Sequence, residues 1–287
     1  MGLLFGSDPE VFVCETIDSK DYAIPVPHFI YNKGIEPVSM DILRKHPVMI
    51  KSNNFSIMMD GVAFEFTLPP VKVAVDMYKN IHSALDALAE FADKFDNKVV
   101  IKPTVNFDFN KYYDPSNDLS YQCCIFGCDP DLDAILVDGY DSPEIDVKNH
   151  PYRYGGGHFH ISDGNEMLKD YPLPFVKFMA ITCGNYSLAK SIYPELEKQR
   201  AWKYGQPARY RIQHYPDKNI GVEYRSPSNF WISELETIEG MFYWAEKAYY
   251  YLKCKREDII NDYLEATVEA ISSADQSKAQ MVLDSLE

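Results

Sequence analysis

Long apolar runs, an excess of basic charge and the glycine-rich nucleotide motifs are all missing from this chain of 287 residues. No stretch approaches the roughly 18 uninterrupted apolar residues of a membrane-spanning helix, so none is expected. The opening MGLLFGSDPE has no basic segment and meets acid at Asp8, which speaks against a secretory signal. Gly6 stands where a myristoylation motif carries Ser or Thr. Lys and Arg number 28 against 43 Asp and Glu, and the net charge of −15 argues against a partner held through a nucleic-acid backbone.

Cysteine is sparse as well: Cys14, Cys123, Cys124, Cys128, Cys183 and Cys254. Without a secretory signal, buried thiols in a reducing cytoplasm are expected rather than a disulfide framework. Cys123, Cys124 and Cys128 cluster, but no second CxxC completes a zinc site. GxxxxGK[ST], GxGxxG and GxSxG do not occur, which removes the P-loop, the Rossmann fingerprint and the nucleophile elbow. CDPDLDAILVDGY starts like a calcium loop with Asp129, Asp131 and Asp133, then fails at Ala134 and Tyr140. His28, His46, His82, His150 and His214 are isolated and read as structural or surface residues.

What is present is a well-patterned globular chain. Apolar residues at 46% and aromatics at 14% suffice for a full core without covalent staples. VAFEFTL (62–68) alternates as a strand and is stopped by Pro69-Pro70. Residues 73–96 carry Met77, Ile81, Leu85, Leu88 and Phe95 at helical spacing. VVIKPTV follows as a strand, HFHI (158–161) is another, and 173–191 reads as helix. RYRIQHY and IGVEYR flank PDKN as a β-hairpin. Ser233 and Glu236 form a capping box ahead of Leu235, Ile238, Phe242, Ala245 and Leu252. The tail from 256 reads as helical and frayed near its end. No repeat and no linker appears. The expectation is one α+β domain with a largely antiparallel sheet: residues 1–255, with 256–287 as a helical extension of it.

Four segments share one feature: ionisable residues at i and i+2, which point the same way on a strand. They are Asp8 and Glu10; Glu65, with Asp60 just before its strand; His158 and His160; and Glu223 and Arg225. Each alone reads first as the solvated face of a half-buried strand. Together they are unlike such faces, being rich in Asp, Glu and His. Converging carboxylates repel unless a cation neutralises them. Several carboxylates with one or two imidazoles suit Mg²⁺ or Mn²⁺, ions that commonly bridge nucleotide phosphates. Gly155, Gly156 and Gly157 either admit a ligand close to backbone or simply ease entry into the strand. RAWKYGQPARYR adds Arg200, Lys203, Arg209 and Arg211, whose alternatives are phosphate contacts or ordinary ion pairs.

The ordered set FGSDPEVFV, DGVAFEF, FGCDPDLDA, GGGHFHI, RxxxYGxxxxYR and GVEYRSPSNFWI closely resembles the phage phiEco32-like COOH–NH2 ligase type 2 family. That family is a branch of the glutamine synthetase-like amidoligases, and the likeness spans about residues 5–232. The resemblance implies a glutamine synthetase-like catalytic fold, a curved antiparallel sheet that holds ATP and Mg²⁺ or Mn²⁺. It implies Asp8, Glu10, Asp60, Glu65, His158 and Glu223 as metal ligands, with His158, His160, Gly156, Gly157 and Lys203 beside the nucleotide. Arg225 is implied on the transferred phosphoryl group, with Arg200 and either Arg209 or Arg211 on phosphates and substrate. The implied reaction is ATP-dependent amide formation between a small-molecule or peptide carboxylate and an amine through an acyl phosphate, in the cytoplasm of a host cell, by a chain that assembles with copies of itself. Two alternatives stand beside it: a metal-dependent hydrolase using the same cluster, and a non-catalytic phage structural protein. Asp8 departs from the synthetase pattern, which has Glu there, and the synthetase substrate loops are not recognisable.

Overall fold

The structure, a computed structural model, describes residues 2–41, 46–124, 132–135, 146–215 and 218–287. Cys128 and most of the calcium-like segment lie outside the described residues. In chain order the strands are β1 (Leu4–Ser7), β2 (Glu10–Ile17), β3 (Lys20–Ala23), β4 (Ser39–Met40), β5 (Pro47–Lys51), β6 (Ser56–Asp60) and β7 (Ala63–Thr67). There follow β8 (Lys98–Val100), β9 (Thr104–Asn106), β10 (Leu132–Asp133), β11 (Tyr152–Tyr154), β12 (Phe159–Ser162), β13 (Arg209–His214) and β14 (Ile220–Tyr224).

They build two sheets. The first is ordered β1-β12-β14-β13-β10 and is antiparallel throughout. The second runs β11-β9-β3-β2-β7-β6-β5-β4, with β8 also on β2, and is antiparallel except where β3 meets β9. This is the expected α+β class with antiparallel sheets. The hairpin of β13 and β14 forms as the pattern predicts.

Helices cover the sheets with their apolar stripes. Ala74–Asp93 buries Met77, Ile81, Ala84, Leu88 and Phe91, following its 3.6-residue period. Leu235–Lys253 packs against it and buries Ile238, Met241, Phe242 and Ala245. Phe5 and Phe159 from the first sheet meet Phe242 of that helix, with centroid separations of 4.3 and 5.5 Å. One contiguous apolar cluster reaches from Phe5 to Leu286.

Four local expectations are corrected. The 99–105 strand is two short strands, β8 and β9, because Pro103 between them lacks the amide a ladder needs. Ser233 caps no helix: its backbone is already helical (φ −70°, ψ −34°) as the end of the 3₁₀ turn Asn229–Ile232, and its hydroxyl finds no partner. Glu234, extended at φ −136°, takes the N-cap position without a side-chain bond. The region read as one helix over 173–191 passes through a π-helical turn at Ala180–Gly184 between Pro172–Met179 and Asn185–Lys190. The C-terminal tail is seated rather than frayed, since Gln276–Asp284 and its end bury Ala279, Val282, Leu283 and Leu286 against the core.

Candidate metal centre

The chain changes sheets within two residues. β1 ends at Ser7 and β2 begins at Glu10, so Asp8-Pro9 is the crossing between the first sheet and the second. Asp8 and Glu10 therefore do not share one strand face, as their spacing suggested. Each instead heads a separate group of ligand-type side chains.

In the first sheet, Gly6, His160, Glu223 and Arg211 lie opposite one another across four neighbouring strands. A Cβ at Gly6 would fall 3.3 Å from His160 Cβ, which leaves little room for a side chain there. His158 enters just before β12, and its Nδ1 is 3.3 Å from Asp8 Oδ1 and 3.5 Å from Glu223 Oε1. In the second sheet Glu10 pairs directly with Glu65 in the β2–β7 ladder. Asp60, the last residue of β6, lies two residues from Met58, which also pairs with Glu65, so all three carboxylates share one face.

Two triads result. In Asp8–His158–Glu223, and again in Glu10–Asp60–Glu65, one ligand atom per residue lies within 4.8 Å of the others. His158 stands between them, with Nε2 3.9 Å from Glu10 Oε1. It is 1% exposed, as is Glu223, while Glu10 and Glu65 are each 4% exposed. Such burial of like charge is costly without a countercharge. The donors are oxygens with a single imidazole, which fits Mg²⁺ or Mn²⁺ and does not fit a closed thiolate zinc site.

The electrostatics divide along the same lines. Burial would raise Asp8, but the charges and hydrogen bonds of His160 and His158 hold it well below the usual carboxylate range. Glu223 likewise feels burial and the Asp8 charge pushing it up, yet Arg225, His160 and His158 bring it down. Glu10 goes the other way: burial raises it, and the Asp60 charge adds to the rise. Burial would lower His160, but Asp8, 2.9 Å from its Nε2, raises it.

Arg225 provides the permanent positive charge. Its Nη1 donates to Glu223 Oε1 and, at 3.2 Å, to His158 Nδ1, so the guanidinium touches two members of the first triad. The expected i, i+2 pairing of Glu223 and Arg225 is thus present. The other basic residues divide. Arg211 lies in the row with Glu223. Arg209 is buried and forms an ion pair with Asp133 at 3.2 Å. Arg200 donates from Nε, Nη1 and Nη2 to the backbone carbonyls of Gly155, Ser226 and Pro227, at 3.0, 2.7 and 2.9 Å. Those bonds tie the glycine loop to the end of β14. Lys203 is half-buried in the turn after the helix Pro194–Ala201.

Gly156 and Gly157 are required by the protein's own atoms. The Gly156 amide donates to Glu10 Oε2 at 2.7 Å, and a Cβ there would fall 2.4 Å from His158 Nε2. A Cβ at Gly157 would fall 2.2 Å from the Ser228 carbonyl oxygen.

Several supporting residues carried no assigned role in the sequence. Asn229 donates to the Glu10 carbonyl at 2.8 Å and Trp231 Nε1 to the Gly157 carbonyl at 2.8 Å, so the SNFWI segment clamps both triads from behind. Ser7 donates to the His158 carbonyl at 2.7 Å, and Gln213 donates to Glu223 Oε2. Tyr204 reaches His158 Nε2 at 3.1 Å. Tyr204, Asn229 and Trp231 belong to RxxxYG and SNFWI, so motif membership was their only sequence signal.

Beside the triads opens a cavity of about 590 Å³, lined by Asp8, Glu65, His160 and Gln213 together with Leu4, Met58 and Leu68. No helix among the described residues is long and apolar enough to cross a membrane. Compared with known proteins, the chain matches no protein-family model and no curated protein.

Proposed function

We propose that the chain is an ATP-dependent carboxylate–amine ligase with a glutamine synthetase-like catalytic fold. The observation that carries this reading is the pair of triads, joined where His158 Nε2 of the first lies 3.9 Å from Glu10 Oε1 of the second, with Arg225 in contact with the first. Two neighbouring oxygen-rich groups suit the β- and γ-phosphates of a nucleotide, whose charge must be neutralised during phosphoryl transfer. The adjoining cavity, lined by one carboxylate of each triad together with His160, Leu4, Met58 and Leu68, offers both polar and apolar surface for a nucleotide.

In this reading a substrate carboxylate oxygen attacks the γ-phosphorus of ATP, the bond to the β-phosphate oxygen breaks, and ADP leaves. The amine nitrogen then attacks the acyl phosphate carbon, loses a proton, and inorganic phosphate departs. Bound Mg²⁺ or Mn²⁺ supplies charge neutralisation at the phosphates. Asp8, His158 and Glu223 would hold one ion, and Glu10, Asp60 and Glu65 the other. Arg225 stabilises negative charge on the transferred group, and His160, paired with Asp8, faces the cavity where the phosphates enter. The reaction takes place in the cytoplasm.

The test is a screen for ADP release over pooled carboxylates and amines, with Glu223→Ala as the blank and mass spectrometry of the active pool. ADP release that depends on both substrates and is absent from the blank is the expected result. Turnover of a phosphoester or amide without nucleotide, equally abolished in the blank, would replace this reading with metal-dependent hydrolysis.

A further inference from the structure

On its first-sheet side, the cavity beside the triads is lined by residues that stand in three levels. Alternation places Arg211, Gln213 and Tyr215 on one side of β13 and its extension, and Glu223, Gly221 and Asn219 on one side of β14 and the residue before it. Register then completes each level. His160, Glu223 and Arg211 form the first, beside the metal centre. Leu4, Ser162, Gly221 and Gln213 form the second. Tyr215, whose amide donates to the Asn219 carbonyl at 2.9 Å, forms the third with Asn219. Leu4, His160, Ser162, Gln213, Tyr215 and Asn219 all line the cavity, together with Met58, Glu65 and Thr67 from the second sheet.

The levels differ in chemistry. The first is ionic. The second is shallow at its centre, where Ser162 and Gly221 carry little or no side chain. The third brings in an aromatic ring, and that ring is turned inward. A Cβ on Gly221 would fall 2.8 Å from Tyr215 Cε2 and 3.0 Å from the Tyr215 hydroxyl oxygen, so the ring reaches over β14 and only glycine admits it there. The turn that carries Tyr215 is braced: the Lys218 amide donates to the Tyr215 carbonyl at 2.9 Å, and Asn165 Oδ1 accepts from the Ile220 amide at 2.7 Å. Tyr215 and Asn219 are each half-buried. From Glu223 to Asn219 the chain advances four residues, about 13 Å at the rise of a β-strand.

We propose that Tyr215 is the residue that holds the base of the bound nucleotide, by stacking its ring on the base while Asn219 offers its amide to the base edge. Charged, small and aromatic levels follow one another as phosphates, sugar and base do in a nucleotide. An aromatic ring gives a base its largest sequence-tolerant contact, and a ring fixed in advance loses little freedom on binding. This role rests on the nucleotide part of the reading above, but not on amide formation.

The experiment uses the whole chain with Mg²⁺ and measures, by calorimetry, the affinities of ATP and of inorganic tripolyphosphate, which lacks sugar and base. In Tyr215→Ala the affinity for ATP should fall about tenfold or more, the scale of one base–aromatic stack, while that for tripolyphosphate stays at the wild-type value. Tyr215→Phe keeps the ring and should bind ATP as wild type does. Unchanged ATP affinity in Tyr215→Ala overturns the proposal. An equal loss for both ligands also overturns it, because Tyr215 would then only support the fold. If wild type binds tripolyphosphate and ATP and only the Tyr215 variants fail to discriminate them, the nucleotide reading stands without this residue. If wild type binds neither ligand, the nucleotide reading itself fails, and the role of Tyr215 with it.

Discussion

Glu10 and Glu65 face each other directly across the β2–β7 ladder, both almost fully buried. Like charges at opposed strand positions destabilise a sheet, and Asp60 brings a third carboxylate to the same point. A sheet built this way stores a demand for a cation, and that demand is measurable.

Divalent cations should therefore stabilise the protein. At cation concentrations about 100-fold above the dissociation constant, linkage gives roughly 2.7 kcal/mol, seen as a rise in Tm of several degrees. Glu65→Gln should be more stable than wild type in chelator, because one of the opposed charges is gone, and should gain less on adding Mg²⁺ or Mn²⁺. Melting curves with and without chelator decide the matter. A variant with wild-type cation response would show that the second triad holds no ion.

Arg225 touches Glu223 and His158, so its removal should act twice. In Arg225→Ala, ADP release under saturating Mg·ATP should drop about 10³-fold or more, the scale of losing an arginine that bears phosphoryl charge. Arg225→Lys keeps the charge but loses the fork and should recover only part of the loss. Near-normal ATP turnover in Arg225→Ala would remove it from the phosphoryl site.

Away from the site, Asp21 links three strands. Its carboxylate accepts from Lys98 at 2.8 Å, Lys102 at 2.6 Å and Thr16 at 3.1 Å. Burial pushes its pKa up, but the lysine hydrogen bonds win and hold it below the ordinary 3.8. As pH falls, the unfolded chain takes up this proton before the folded one does. The stability from Asp21 is thus complete above 3.8 and lost as pH drops through the lower folded value. Asp21→Asn should cost about 1 kcal/mol or less at neutral pH, and its Tm deficit against wild type should narrow on acidification. A deficit that is constant from pH 7 downward would mean the lysine pairs add nothing.

Much of the candidate site was legible because strand periodicity is short-ranged. Alternation alone placed Phe159 and Ile161 in the core, where both are fully buried, and put His160 on the face it shares with Glu223 in the neighbouring strand. Glu223 and Arg225 paired as their i, i+2 spacing suggests. The spacing of Asp8 and Glu10 misled, because the rule assumes one continuous strand and Pro9 breaks it there. Arg200 resembled the other basic residues in sequence. Only its surroundings, three inward-pointing carbonyls, distinguish a guanidinium that braces a loop from one in the row beside Glu223.

By itself, the sequence determined which residue types exist to be gathered: acids and imidazoles at alternate positions, glycines before β12, a hairpin that carries Glu223 and Arg211. Those follow from local geometry, which a few neighbouring residues settle. The tertiary structure decided that the acids form two groups rather than one, that His158 lies between them, and that Tyr204 meets its far nitrogen. These depend on contacts between residues 46 to 219 positions apart, as for Tyr204 with His158 and Asn229 with Glu10. No local pattern encodes such contacts, because they are set by how two sheets and their covering helices close around one core.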